Sequence, residues 1–386
     1  MLGRGAFIRE AAAFAGLLAC SGCRTGGEPS GCYSVSILGD THFDAEPASV
    51  YHSEFLRKYG KDEGQWWRPA EFARNAQMWA GPSRRILEAS GRIAGKDTRF
   101  VLQLGDLIQG DCADAATHKR MLKECVDYMS AVYPKGLRFV TVCGNHDIRD
   151  GVDPMGNDQA AAETYRAYMG GRTTYGFREG PDLFVVMDFN RGREDAEEVK
   201  RLLRENEDVR YTFLVTHGGV FPFDVGTRRW FYLGAPEDDA LRREMRALFA
   251  RRNAIVLCGH THHLEFKEAQ FPEGRLVEFT MNTVYGGAKG KPNPAEPLVL
   301  REGPAAYGDT EWVRQSPEVT ALFDEYRPHL RRYLAAKGVG HAVMRVSDAG
   351  VTFEYYGHDA VVPTRTWFVP NAKAHIFAPK PWKFQP

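Results

Sequence analysis

No stretch of this chain approaches the roughly 20 consecutive apolar residues needed to span a bilayer, which excludes a bundle of membrane helices. Charge of one sign is lacking too. Fifty Lys and Arg balance fifty Asp and Glu, so the broad basic footprint that grips nucleic acid or anionic membrane is missing. Cysteine is sparse, seven in all, which is not the dense, even framework of a disulfide-stapled scaffold. Once Cys20 and Cys23 are set aside, no Cys-x-x-Cys pair survives among Cys32, Cys112, Cys125, Cys143 and Cys258, and a cysteine zinc site is excluded. Cys143 and Cys258 each close an apolar run and read as small buried hydrophobes, with a disulfide between them as the alternative. There is no internal repeat and no obvious linker. What is present, 43% hydrophobic and 12% aromatic over 386 residues, is the composition of a globular protein with a sizeable core.

The first residues, "MLGRGAFIREAAAFAGLLACSGC", place Arg4 and Arg9 before a short apolar segment and read as an export signal. "RGAFIRE" resembles a twin-arginine signal with Gly5 in place of the second arginine, and "LLAC" resembles a bacterial lipoprotein cleavage box. The expectation is an exported protein, periplasmic or membrane-anchored through lipid at Cys20, less readily Cys23. The alternative is a short N-terminal helix on a cytoplasmic protein.

Apolar, β-branched runs recur and end in polar clusters: "YSVSILGDTH", "RFVLQLGD", "LRFVTVCGNHD", "DLFVVMD", "RYTFLVTHGG" and "NAIVLCGHTHH". Such runs suit strands buried on both faces. Helical stripes lie between them in "AEEVKRLLREN" and "DDALRREMRALFARR". The fold class is therefore α/β, with helices covering a mixed or double-layered sheet. Near the end, "HAVMRVSDAGVTFEYYGHD" predicts a hairpin around an Asp-Ala-Gly turn. Residues 50–83, 220–236 and 284–312 break the rhythm, as functional loops do. The aromatic stretch 50–83 fits core packing and a substrate wall equally well.

The polar clusters supply Asp40, His42, Asp106, Asn145, His146, Asp147, His217, His260 and His262. Groups at the carboxyl ends of strands converge in space however far apart they are in sequence. Asp40 and His42 are two apart, as are His260 and His262, and in extended chain such pairs face one way. Leaving His146 and Asp147 aside, the donors, four imidazoles, two carboxylates and one amide oxygen, suit zinc, manganese or iron rather than calcium. Seven are too many for one tetrahedral ion and suit two that share a bridge. A metal pair about 4 Å apart clamps the attacking and leaving oxygens of a displacement at phosphorus. The chemistry indicated is phosphoester hydrolysis.

The ordered blocks "DTH" 40–42, "GD" 105–106, "GNHD" 144–147, "THGG" 216–219 and "GHTH" 259–262 resemble the signature of the calcineurin-like metallophosphoesterases, from about Tyr33 to about Asn282. The resemblance implies a two-layer β-sandwich flanked by helices, with a dinuclear site at the carboxyl ends of its strands. It assigns Asp40, His42 and His262 to one metal and Asn145, His217 and His260 to the other, with Asp106 bridging. His146 then resembles the family's catalytic histidine, which contacts phosphate and protonates the leaving oxygen, with Asp147 as its orienting carboxylate, although an Asp there also suits a helix N-cap. A metal-bridging hydroxide is the implied nucleophile. One departure narrows the family. Purple acid phosphatases carry a tyrosine ligand three residues after the bridging aspartate and lack the D-x-H histidine. Here Gln109 stands in the first position and His42 is present, which argues against an iron-tyrosinate centre.

The expected organisation is a leader over 1–31, a catalytic domain over 32–285 with lid insertions near 50–83 and 220–236, and an extension of the same domain over 286–386. Asn145 and the pair Arg228 and Arg229 are expected to touch substrate phosphate. His52, His118, His263, His329, His341, His358 and His375 fall outside the pattern and are expected on the surface or in lids. The expected cofactors are two divalent or trivalent transition-metal ions, Mn, Fe or Zn. The expected partner is a small or lipid-like phosphoester. No nucleic acid is expected, and membrane only through a lipid anchor. A metal-dependent nuclease and a scaffold without catalysis are the alternatives. The missing basic stripe opposes the first, and the complete ligand set opposes the second.

Overall fold

The computed structural model describes residues 31–44, 77–112, 114–149, 159–223, 228–284 and 297–372, together with positions 73 and 75. The leader over 1–31 except its last residue, most of the 50–83 segment and the Arg229 side chain lie outside the described residues. Among the described residues, fourteen strands form two sheets. In chain order they are β1 (Tyr33–Leu38), β2 (Thr98–Gln103), β3 (Arg138–Thr141), β4 (Tyr175–Glu179), β5 (Asp182–Met187), β6 (Thr212–Thr216), β7 (Ile255–Cys258), β8 (His263–Phe271), β9 (Gly274–Thr280), β10 (Leu298–Glu302), β11 (Leu330–Lys337), β12 (Gly340–Val346), β13 (Gly350–Gly357) and β14 (Arg365–Pro370). The first sheet runs β14-β13-β12-β1-β2-β3 and the second β10-β11-β8-β9-β7-β6-β5-β4. Helices α1 (Pro82–Ile93), α2 (Ala115–Val132) and α3 (Gln159–Tyr168) belong to one outer layer, and α4 (Ala196–Arg204), α5 (Asp239–Arg251) and α6 (Pro317–Tyr326) to the other.

Alternation along the strands builds these layers, because successive side chains of a strand point to opposite faces. In β1, Val35 and Ile37 enter the core between the sheets. Ser36 faces α1, where its hydroxyl meets that of Ser90 at 2.9 Å. In β5, Phe184 and Val186 enter the same inter-sheet core, while Leu183, Val185 and Met187 pack under α4 and α5. Strands buried on both faces read as unbroken apolar runs, which is why these stretches stand out in the sequence. The result is four layers, helix–sheet–sheet–helix.

β1, β2 and β3 pair in parallel, as do β5, β6, β7 and β9. Their carboxyl ends therefore gather at one edge of the sandwich. The hairpin near the end is β12–β13, and β12 pairs antiparallel with β1, so the C-terminal strands complete the sheet that carries the first site residues. The segment 220–236 is less of a lid than its irregular sequence suggests: Val220, Phe221, Phe223, Phe231, Tyr232 and Leu233 are all core. Cys143 and Cys258 are buried free thiols, and no disulfide joins any described pair. His118 and His341, expected at the surface, are fully buried.

Candidate metal centre

Each ligand follows the end of a strand, and the backbone there is not extended. His42, Asp106, His260 and His262 take positive φ values of 42°, 49°, 73° and 56°. L residues enter this region at a cost, and such outliers gather at functional sites. The expectation that His260 and His262 point together because the chain is extended is corrected accordingly. They converge because two left-handed residues fold the 259–262 turn back on itself. Glycines make room for this folding. A Cβ on Gly105, itself at φ 93°, would lie 2.3 Å from the His217 ring, and one on Gly259 would lie 2.4 Å from the Asp40 carboxylate.

The two carboxylates divide their oxygens in the same way. Asp40 Oδ1 accepts the His260 amide at 2.9 Å, and its Oδ2 faces His262 Nε2 at 3.0 Å. Asp106 Oδ1 accepts the His146 amide at 2.8 Å. Its Oδ2 lies 3.2 Å from His217 Nε2 and 3.8 Å from His42 Nε2. One oxygen thus ties loops together while the other enters the cluster. The imidazoles close the arrangement: His42 and His262 bring their Nε2 atoms to 3.1 Å, and His260 Nδ1 lies 2.9 Å from His217 Nε2. The Leu104 carbonyl holds His217 Nδ1 at 2.8 Å, which fixes the tautomer and aims Nε2 inward.

Three overlapping groups result, namely Asp40 with His42 and His262, Asp106 with His217 and His260, and His42 with Asp106 and His146. Asp106 belongs to two of them and sits where a bridge is needed. The charge balance calls for cations. Burial works against a charged His217, yet Asp106 and Asp40 push it up to about 9. His262 is likewise raised by Asp40 against burial, whereas burial and neighbouring imidazoles hold His42 and His260 well below the ordinary range. Four packed imidazoles cannot all carry protons, but all can donate lone pairs to metal. Asn145 Oδ1 supports the same reading, since it is buried with no hydrogen-bond partner. A buried acceptor without a partner calls for a water or an ion, and beside this cluster of ligands an ion fits. The N and O donor set fits Mn, Fe or Zn.

The model for the family described as calcineurin-like phosphoesterase matches residues 33–264, more than half of the chain. The chain belongs to the calcineurin-like phosphoesterases. Among solved structures, this phosphoesterase is similar to one of PhoD at 10% identity and a TM-score of 0.52, over 90% of this chain and 70% of that one. It is also similar to a dimetal phosphatase from Danio rerio at 10% identity and a TM-score of 0.48, over 88% and 99%. At 10% identity the likeness to PhoD concerns the fold alone. No curated protein matches the phosphoesterase. Family and ligand cluster together make the chain a metal-dependent phosphoester hydrolase in general terms.

The surroundings of His146 differ from expectation. Asp147 does not orient its ring; both Asp147 oxygens accept backbone amides, Ile108 at 3.2 Å and Gly144 at 2.8 Å. Burial and the Asp106 charge push that carboxyl up to about 7, and its work is to staple two loops. The His146 ring is held instead through Nδ1, whose N–H donates to the Gln109 carbonyl at 2.8 Å, while the Arg149 guanidinium packs beside the same nitrogen at 2.9 Å. Arg228, expected on substrate phosphate, is committed to Asp239 and to the Gly234 carbonyl. Its neighbour Trp230 lies nearer the cluster, with its ring centroid 5.3 Å from that of His260. Trp79, from the aromatic segment, is core, and its indole N–H donates to the His42 carbonyl at 2.6 Å.

Proposed function

We propose that the protein hydrolyses a phosphate mono- or diester of a small or lipid-like molecule, using two transition-metal ions and His146 as general acid. The observation that carries this reading is the convergence of Asp40, His42, His217, His260 and His262 around Asp106, beside the orphaned Asn145 oxygen. Asp40, His42 and His262 would hold one ion and Asn145, His217 and His260 the other, with Asp106 shared. Bound there, the ions would supply positive charge toward the phosphoryl oxygens and make water acidic enough to act as a nucleophile near neutral pH. The side chains do the rest. Asp106 Oδ1 holds the His146 amide and so ties the acid to the ligand cluster. With Nδ1 held by Gln109, Nε2 is the nitrogen that delivers the proton to the leaving oxygen. The Asn145 amide group can donate to the same phosphoryl group. If the leader over 1–31 acts as an export signal, the substrate is met outside the cytoplasm; the mass of the mature N-terminus in the native host tests that part.

The test is turnover of p-nitrophenyl phosphate and bis-p-nitrophenyl phosphate by Mn-loaded protein, beside the H146A variant. H146A should retain its metal and lose about 10²–10⁴-fold in turnover of an alkyl ester such as benzyl phosphate, whose leaving oxygen needs a proton, and less on the p-nitrophenyl esters. Absence of any phosphoester turnover in a metal-loaded sample would overturn the proposal, and near-full activity of H146A on benzyl phosphate would remove its acid.

A further inference from the structure

Arg149 and Asp111 lie outside the five signature blocks, and both are buried, at 3% and 0% exposure. The Arg149 Nη2 atom donates to Asp111 Oδ2 at 2.6 Å and lies 2.9 Å from His146 Nδ1. The main chain repeats the link, since the Asp111 amide donates to the Arg149 carbonyl at 2.9 Å. Gln109, whose carbonyl holds His146, donates its own side-chain amide to Asp111 Oδ2 at 3.3 Å. Asp111 takes φ 56°, and a Cβ on Gly110 would lie 2.2 Å from the His146 carbonyl oxygen. The turn over 109–111 is therefore pressed against the turn over 146–149, with the ion pair as the clasp. Burying an ion pair carries a desolvation cost that a well-packed apolar pair avoids. Bulk stability is thus a poor reason for these two charges to sit against the ring.

We propose that Arg149 and Asp111 are positioning residues that fix the His146 ring for proton delivery to the leaving oxygen. The inference rests on the reading of His146 as general acid. The clasp sets the distance between the Gln109 carbonyl and the 146–149 turn, and with it the plane of the imidazole. Small losses of alignment at a reacting group are costly, on the order of 10²-fold for displacements near 1 Å. Without the clasp the ring keeps its contact with Gln109 but samples other tilts.

The experiment compares Mn-loaded wild type, H146A, R149M and H146A/R149M on p-nitrophenyl phosphate and benzyl phosphate, in the corresponding diester form if diesters prove the better substrates. R149M should keep its metal content and KM. Its kcat should fall about 10–100-fold on the benzyl ester, whose leaving oxygen needs a proton, and less on the p-nitrophenyl ester. H146A/R149M should be no slower than H146A, because residues acting through one group are not additive. Equal loss on both esters, loss of metal, or an additional loss in the double variant would overturn the positioning role. If H146A itself spares the benzyl ester, the acid reading has failed; if H146A impairs it and R149M does not, only the clasp has failed. R149M leaves Asp111 charged and buried, so R149M/D111N, which leaves no buried charge, carries the same comparison should R149M not fold.

Discussion

Two clusters of charge are buried in this protein, and they are built in opposite ways. On the outer face of the second sheet, Lys267 of β8 stands between Glu265 and Glu278, all at most 1% exposed. Glu278 spends both oxygens, one on Lys267 at 2.9 Å and the other on the Val220 and Phe221 amides at 2.6 and 3.1 Å. These residues lie within regular strands, and the three charges answer one another. At the sandwich edge, the metal cluster has two carboxylates among four imidazoles, an amide oxygen with no partner, and four residues in left-handed backbone. Burial of charge is common to both. What separates a site from a structural network is unfinished bonding held in place by strained chain, because a strained arrangement persists only where its surroundings over-determine it.

The largest way to break this contrast is to remove the shared carboxylate. D106N keeps the shape of the side chain and its contact with the His146 amide but takes away the charge that faces His217 and His42. We expect at least ~100-fold less turnover, since changing even the outer partners of metal ligands costs about 10–100-fold, together with loss of bound metal by elemental analysis. The thermal midpoint of metal-free protein should stay close to that of metal-free wild type, because the inter-sheet core does not depend on the cluster. A collapse of the midpoint would mean that the two clusters do the same job.

The parts of this site that announce themselves in sequence are those whose side chains carry the chemistry. Asp40, Asp106, His217 and His260 each follow an apolar run, and parallel strands bring such positions to one edge whatever their spacing. The geometry between them is less visible. Alternation along an extended strand pairs His260 with His262 for the wrong reason, since positive φ is a property of the folded turn that residue type signals only weakly. Gln109 acts through its carbonyl, a group every residue has, and nothing in its side chain announces it. Asp147 has the right chemistry to orient His146, but two amides claim it first. In β8, "HLEFKEAQF" alternates as a half-exposed strand does, yet Glu265 and Lys267 are buried, with the Phe223 ring 4.5 Å from Lys267 Nζ. Burial by a distant segment leaves no local trace. Arg149 was legible only as the second residue after "GNHD", where a charge reads as solvated until tertiary structure buries it.

The second cluster predicts the converse of D106N. K267M leaves Glu265 and Glu278 buried without their cation, and breaking a buried ionic pair from one side costs about 3–5 kcal/mol. Denaturant unfolding should register that loss, while metal content and turnover per folded molecule are largely kept. Adding E265M should recover part of the stability, since Glu278 would still have its two backbone donors. Loss of metal in K267M with the fold intact would instead tie this network to the placement of His217, three residues before Val220.

The smallest effect comes from a buried imidazole with no carboxylate pressed against it. His341 of β12 stacks on Tyr356 at 5.0 Å and places Nε2 3.2 Å from the Ala360 carbonyl. Burial lowers its pKa to about 4, with the Ala360 carbonyl and Asp359 pulling up and Arg92 pushing down. His217 is as deeply buried but is pushed the other way by Asp106 and Asp40, so the pair isolates what a carboxylate contributes. The folded state holds His341 neutral, whereas the unfolded chain takes up a proton near pH 6.5. Between about pH 6.5 and 4 the unfolded state therefore binds more protons, and stability falls as pH falls through that window, levelling off below it. At about 1.4 kcal/mol per unit, the whole drop is roughly 3 kcal/mol. Wild type should lose that much relative to H341Q in parallel urea titrations over this range. A difference between the two that stays constant with pH would mean that the imidazole is charged in the fold and that burial alone does not set its state.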